Sequence, residues 1–196
     1  MQLEKPNIIL LGGGGHCMSV IDVIEQGNKY TIKGILDYTG KGTILGYPIL
    51  GGDDLVPQLV DENTYFLVTV GQIKSYAVRE KLTEFLVENN AKLATVISPL
   101  AYVSKHAQIQ EGTVVMHGAI VNAGASIGKY CIINTKALIE HGAVVEDFCH
   151  ISTSATINGD TIVKRGSFIG SNATISHLVC IPEDRIISAG TFIKRV

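Results

Sequence analysis

Six histidines, four cysteines and a run of four glycines are the residues of this chain with the most chemistry to offer. A neutral imidazole can take a proton from an amine or a hydroxyl near neutral pH, so His16, His106, His117, His141, His150 and His177 are all candidate general bases. Gly12–Gly15 separate an apolar run ending at Leu11 from an amphipathic stretch carrying Val20, Ile21, Val23 and Ile24. Glycines at the mouth of a helix let backbone N–H groups approach a phosphate, with the helix dipole adding attraction. The strict dinucleotide fingerprint would place a third glycine at position 17, where this chain has Cys17, which disfavours a nicotinamide cofactor. Cys17, Cys131, Cys149 and Cys180 show no C-x-x-C spacing and are read as reduced, with Cys131 and Cys149 facing inward.

The elements that must hold these residues differ between the two halves. In the front half, residues 7–11, 31–36, 64–70 and 92–97 read as strands. The glycine turn leads into one helix, and 73–89 reads as another. That alternation predicts a small Rossmann-like parallel α/β domain over residues 1–98. From Val103 onward every sixth residue to Ile193 is Val or Ile, sixteen in one phase, although those two types make up only 43 of 196 residues. Chance does not produce such a register. A period of six requires a turn every sixth residue, which a triangular parallel β-helix supplies: each hexad is a short strand and a corner, and three hexads make an 18-residue coil. Small residues four places after the branched ones, with exceptions at Val179 and Arg185, and glycine at 112, 118, 124, 142 and 166, fit tight corners. The second domain is therefore placed at 99–196.

Length and charge narrow the class further. A net charge of -2 without blocks of like charge offers no surface for nucleic acid. The N-terminal apolar run is too short for a signal peptide or a membrane span, so a cytoplasmic protein is expected.

Several stretches resemble a known family. I-G-K-Y-C-I, I-E-H-G-A-V and I-G-S-N-A-T are similar to the hexapeptide-repeat acyltransferases, whose solenoids are left-handed and trimeric. The order G-x-G-G-H, I-L-D, G-Y-P-I-L-G-G-D-D-L, V-G with Arg79 and I-S-P-L-A ahead of the repeats resembles the PglD/NeuD-like bacterial sugar acetyltransferases across nearly the whole chain. The resemblance implies an acetyl-CoA-dependent N-acetyltransferase, homotrimeric, acting on a nucleotide-linked aminosugar, with UDP the expected carrier. It implies His141, in N-T-K-A-L-I-E-H, as catalytic base; Glu140, Asp147 and Asn134 are the polar neighbours available to support it. Acetyl-CoA would be met by His150, Gly159, Gly170, Ser171 and Ala189, and the nucleotide sugar by Gly14, His16 and Asp37. His106, His117 and His177 are read as solvated or trimer-contact residues.

Three departures stand out. Relatives usually carry Glu or Asp directly after the catalytic histidine, where it orients the ring, but this chain has Gly142; restoring an acid as Gly142→Glu is expected to help if the backbone angle accepts it. The tail I-S-A-G-T-F-I-K-R-V lacks the G-x-P-A-K ending of the family, and Ser98 replaces a common junction histidine. Sugar O-acetylation, as of a sialic acid, would use the same base. A non-catalytic repeat protein is a third reading, favoured by Gly142 alone. A metal enzyme of the γ-carbonic-anhydrase kind needs a histidine spacing that is missing, and no metal is expected.

Overall fold

The computed structural model describes residues 5–38 and 40–195. They form two compact units: the described residues up to Gly71 with Ala77–Ala94, and Gln72–Tyr76 with the chain from Thr95 onward.

In the first unit Asn7–Leu11 (β1) runs at the centre of a sheet, with Ile8, Ile9, Leu10 and Leu11 all buried, as a parallel strand covered on both faces requires. The helix Gly15–Gly27 (α1) follows and buries Cys17, Val20, Ile21, Val23 and Ile24. It ends at Asn28 in the left-handed region, φ 50°, whose N–H returns to the Ile24 carbonyl. Thr31–Leu36 (β2) pairs parallel with β1. A hairpin absent from the sequence reading, Thr43–Ile44 (β3) and Tyr47–Gly51 (β4), joins the edge of β2. After the short helix Val56–Leu59 (α2), Thr64–Val68 (β5) pairs with β1 on its other side, Ala77–Glu88 forms α3, and Lys92–Leu93 (β6) pairs with β5. The sheet order is β3-β4-β2-β1-β5-β6, parallel except for the hairpin. Between β2 and β5 the chain direction of the winding reverses, and the loop after β1 opens at that point.

Two expectations need adjustment. The stretch 92–97 is not one strand: Lys92–Leu93 pairs with β5, whereas Val96–Ile97 pairs with Val114–Val115 in the repeat. The helix expected over 73–89 begins only at Ala77, because Gln72 and Tyr76 are drawn onto the second unit. There the Gln72 amide donates to the carbonyls of Phe148 (2.7 Å) and Gly166 (3.3 Å). The Tyr76 ring packs 5.5 Å from that of Phe148, and the Arg165 guanidinium lies over both.

The second unit is a left-handed parallel β-helix of two-residue strands in three parallel sheets, each strand pairing with those 18 residues away, as Ile132–Ile133 with His150–Ile151. The second residue of each pair is the branched one that the sequence singled out. Val115, Val121, Ile127, Ile133, Ile139 and their successors are buried and form one continuous core. Between strands the chain turns through positive φ at every sixth residue from 112 to 190. Six of these fourteen corners are glycine; Tyr130, Lys136, Phe148, Ser154, Asp160, Asn172, Leu178 and Asp184 take the same angle with side chains. A left-handed residue other than glycine costs roughly 1–2 kcal/mol. Burying a branched inward side chain returns about 1.5–3 kcal/mol, so the column outweighs the corner.

All four cysteines are thiols. Cys131 and Cys149, 18 apart, donate to the carbonyls of Glu146 and Lys164, each at 3.1 Å, rather than to each other. Burial pushes the Cys149 thiol well up from its ordinary value and raises Cys17 as well, with the Thr69 hydrogen bond opposing it there. No helix among the described residues is long and apolar enough to cross a membrane.

Two outcomes follow from this packing. Ile151→Ala removes a fully buried member of the column and should lower unfolding stability by about 2–5 kcal/mol, read from the urea midpoint; a loss below about 0.5 kcal/mol would contradict the inward stacking. A thiol reagent should label the exposed Cys180 of the native protein rapidly and the other three only on unfolding. Two fast thiols would contradict that burial.

Candidate active site

The glycine turn divides by function. A Cβ on Gly12, at φ +101°, would meet Val70 at 2.4 Å, and one on Gly13 would meet Ile44 at 2.7 Å, so these two glycines permit close packing. Gly14 and Gly15 face open space at the mouth of α1, where Gly14 is the N-cap without a side-chain hydrogen bond. The Gly13 N–H donates to Asp37 Oδ2 at 2.7 Å, which ties the turn to the end of β2. His16 lies in the first turn of α1, half-buried against Gly71.

Beside this turn opens a cavity of about 500 Å³ lined by Gly12, Asp37, Asp53, Lys81 and Phe85 among others. It sits at the carboxyl ends of the central strands, where open α/β sheets bind their ligands. Burial raises the Asp53 carboxyl above its ordinary value, with the nearby Asp37 and Asp54 adding to the shift, while a hydrogen bond from Tyr38 and the charge of Lys81 oppose it. Of the three substrate residues expected from the sequence, Asp37 lines this cavity; Gly14 and His16 do not. Asp53 belongs to the G-G-D-D stretch noted in the sequence, whereas nothing in spacing marked Lys81.

In the solenoid, an 18-residue step places Ala123, His141, Gly159 and His177 in one column and Gly124, Gly142, Asp160 and Leu178 in the next. His141 is exposed, and its ring lies on Gly159: a Cβ there would come within 2.6 Å of Cε1 and 2.8 Å of Nε2. Only glycine leaves room for the imidazole. The Gly159 N–H has no acceptor among the described residues, while the neighbouring Asp160 N–H donates to the His141 carbonyl at 3.1 Å. Glu140 Oε2 accepts from Asn122 (2.9 Å) and from the His141 backbone (3.3 Å).

His150 is held differently. It is 7% exposed, Nδ1 lies 2.5 Å from the Gln72 carbonyl, and Phe168 packs edge-on at 5.1 Å. The Thr135 N–H donates to Asn134 Oδ1 at 2.7 Å, which turns the Asn134 amide nitrogen toward His150 Nε2 at 3.1 Å. The network therefore puts the His150 proton on Nδ1 and leaves Nε2 as an acceptor. Asn134, expected beside His141, is the partner of His150 instead. Gln72 had no signal in the sequence, because its role depends on a hydrogen bond spanning 78 residues.

Ser152 and Gly170 follow Asn134 at coil steps, and Ser171 and Ala189 follow Thr135 and Thr153 in the same way. Ser171 Oγ is 3.0 Å from Ser152 Oγ, and a Cβ on Gly170 would strike the Ala189 nitrogen at 2.5 Å. His117, expected to be a solvated or trimer-contact residue, is half-buried with Nδ1 2.6 Å from Ser98 Oγ, which itself accepts the Leu100 N–H. Position 142 takes φ +67°, and a Cβ there would lie 2.1 Å from Asp160 Oδ1. Gly142→Glu would put two carboxylates in one volume, so the gain expected for it from sequence is withdrawn. Among the described residues no group of three or more His, Cys, Asp or Glu side chains is placed to hold a metal ion.

Residues 7–86 match the PglD N-terminal domain. The UDP-N-acetylbacillosamine N-acetyltransferase of Bacillus subtilis (strain 168) is 34% identical over 118 residues, 56% of this chain and 51% of that protein, so the match spans about half the length of this curated relative. A mutant of perosamine N-acetyltransferase from Caulobacter crescentus, solved with CoA and GDP-perosamine, superposes with a TM-score of 0.92 at 28% identity, over 100% of this chain and 91% of that one. The acetyltransferase domain of PglB from Neisseria gonorrhoeae FA1090, solved with acetyl coenzyme A, gives 0.90 at 30% identity, over 97% of this chain and 93% of that one. Identity at that level over nearly a whole relative, joined to the match of the front half, means that this chain belongs to the PglD-like family of bacterial sugar acetyltransferases.

Proposed function

We propose that the chain is an acetyl-CoA-dependent N-acetyltransferase acting on a nucleotide-linked aminosugar, with His141 as general base. One observation carries the reading: an exposed imidazole rests on a glycine whose own N–H is unpaired among the described residues. A proton acceptor and an oxyanion donor then stand on adjacent coils. The relatives whose names specify UDP-N-acetylbacillosamine and GDP-perosamine support the substrate class. UDP is the first carrier to try and GDP the second.

The residues present fit acetyl-CoA in one testable respect, the unpaired Gly159 N–H beside His141, with His150, Gly170, Ser171 and Ala189 as the further residues that would hold it. Acetyl-CoA bound there would supply an activated acetyl group as a thioester. His141 takes the proton that the amine must lose and holds it on an exposed ring. The Gly159 N–H donates to negative charge building on a carbonyl oxygen. His150 keeps a lone pair at Nε2 and serves as a fixed acceptor, since both of its nitrogens are already engaged. The carboxylates and Lys81 around the front cavity offer acceptors and one donor to a nucleotide base or ribose.

The active species is proposed to be a homotrimer. One sheet of the solenoid presents Tyr102 and Ile120 side by side on neighbouring strands, 59% and 39% exposed, an apolar pair that a second copy would cover.

A screen of UDP-, GDP-, TDP- and CMP-linked aminosugars with acetyl-CoA, followed by free thiol, tests the class; no release with any of them would refute it. With the active sugar, His141→Ala should lower kcat by about 10²–10⁴-fold and leave acetyl-CoA binding nearly unchanged. A single-turnover rate within about threefold of the parent would remove His141 from the mechanism. Light scattering at micromolar concentration should return three times the chain mass, and an active monomer would refute the assembly.

A further inference from the structure

A working imidazole needs something to orient it and to meet its charge when it carries the proton. The residue after His141 is glycine, and the nearby polar groups are committed elsewhere. Glu140 is bound to Asn122 and to the backbone, Asn134 to His150, and Asp147 Oδ1 accepts the Lys129 N–H at 2.8 Å. One carboxylate remains beside this column. Asp160 Oδ1 stands 2.1 Å from where a Cβ of residue 142 would be, so it occupies the volume that an acid at 142 would fill. The His141 ring lies on Gly159, the residue directly before it. The corner angle is not what makes residue 142 a glycine, because eight other corners hold side chains at φ between 54° and 60°. The carboxylate one coil on is what a side chain there would meet.

We propose that Asp160 is the positioning residue of His141, a carboxylate supplied by the next coil in place of the one missing after the histidine. This rests on the assignment of His141 as base. The Asp160 side chain is 49% exposed, and the His177 ring lies beside it, with Nδ1 4.0 Å from Oδ2. It is therefore loosely held and can turn toward the His141 ring as the ring takes up a proton. Asp160 and His177 are the titratable side chains that follow His141 in these two columns, and Glu140 precedes it in the chain.

The fold provides its own control. Asp184 Oδ1 stands in the same way over Gly166, 2.4 Å from the Cβ position there, but the residue before that glycine is Arg165. If such aspartates only fill the corner, Asp160→Asn and Asp184→Asn should behave alike.

The test uses the full chain with acetyl-CoA and the nucleotide-linked aminosugar that releases thiol fastest in the screen above. Asp160→Asn, nearly isosteric, should lower kcat by about 10–100-fold, the usual cost of losing the partner of a working imidazole, with both KM values within about twofold. Asp184→Asn should match the parent. Gly142→Asp alone should be impaired by the crowding with Asp160, whereas Gly142→Asp combined with Asp160→Gly moves the carboxylate back by one coil and should restore kcat to within about threefold of the parent. Thermal melts of each variant separate folding from rate. An Asp160→Asn enzyme within about twofold of the parent, or a double variant no better than Asp160→Asn while equally folded, would overturn the proposal. If His141→Ala is inactive and Asp160→Asn is not, this inference alone fails. If His141→Ala is fully active, the assignment of the base fails first.

Discussion

At every sixth residue from 112 to 190 the backbone turns through the left-handed region, and each turn sends a two-residue strand along the next side of a triangle. Everything else in the second unit depends on that corner. It fixes a branched side chain inward on each strand, stacks it on its copy 18 residues away at about 4.8 Å, and lets the core grow without a second layer of structure. Glycine takes the corner without strain, but eight bulkier residues take it too. The inward column is strong enough to hold them there.

The same stacking decides what the two central histidines can do. His141 stands at a corner, above a glycine, with its ring exposed and no ring hydrogen bond to the described residues. His150 stands on a strand one half-coil later, buried under Phe168 and fixed at both nitrogens by Gln72 and Asn134. One ring is open to solvent; the other is held in one tautomer by bonds to both nitrogens. Residue type is identical, and position within the hexad separates their chemistry.

The hexad phase was legible in the sequence because a period of six leaves a mark at every coil, and the structure extends it one step further back, to Ile97 opposite Val115. The central strands of the front unit were legible for a similar reason: Asn7–Leu11 and Thr31–Leu36 are short runs bounded by turn residues. The hairpin Thr43–Gly51 was not, since its strands are short, half-exposed and broken by glycine and proline. Residues 73–76 read as helix because local propensity says nothing of a glutamine amide pulled onto the carbonyls of Phe148 and Gly166. The partner of Asn134 was hidden for the same reason. Asp160, by contrast, lay within reach of the sequence, being the corner residue one coil beyond Gly142. Its relation to His141 runs from coil to coil, not along the chain.

The clamp of Gln72 on His150 bears on the order in which the chain folds. Within the solenoid each pairing closes a loop of 18 residues, whereas the bond from His150 to the Gln72 carbonyl closes one of 78. Closure entropy grows with the logarithm of loop length, so the clamp costs about 1 kcal/mol more to form than one further coil. It also needs Phe148, Gly166 and Asn134 already in place to receive it. The coils are thus expected to wind first and the segment at 72–76 to dock afterwards, so that a nascent chain acquires its fixed histidine only after at least two turns of the helix beyond residue 130 have formed.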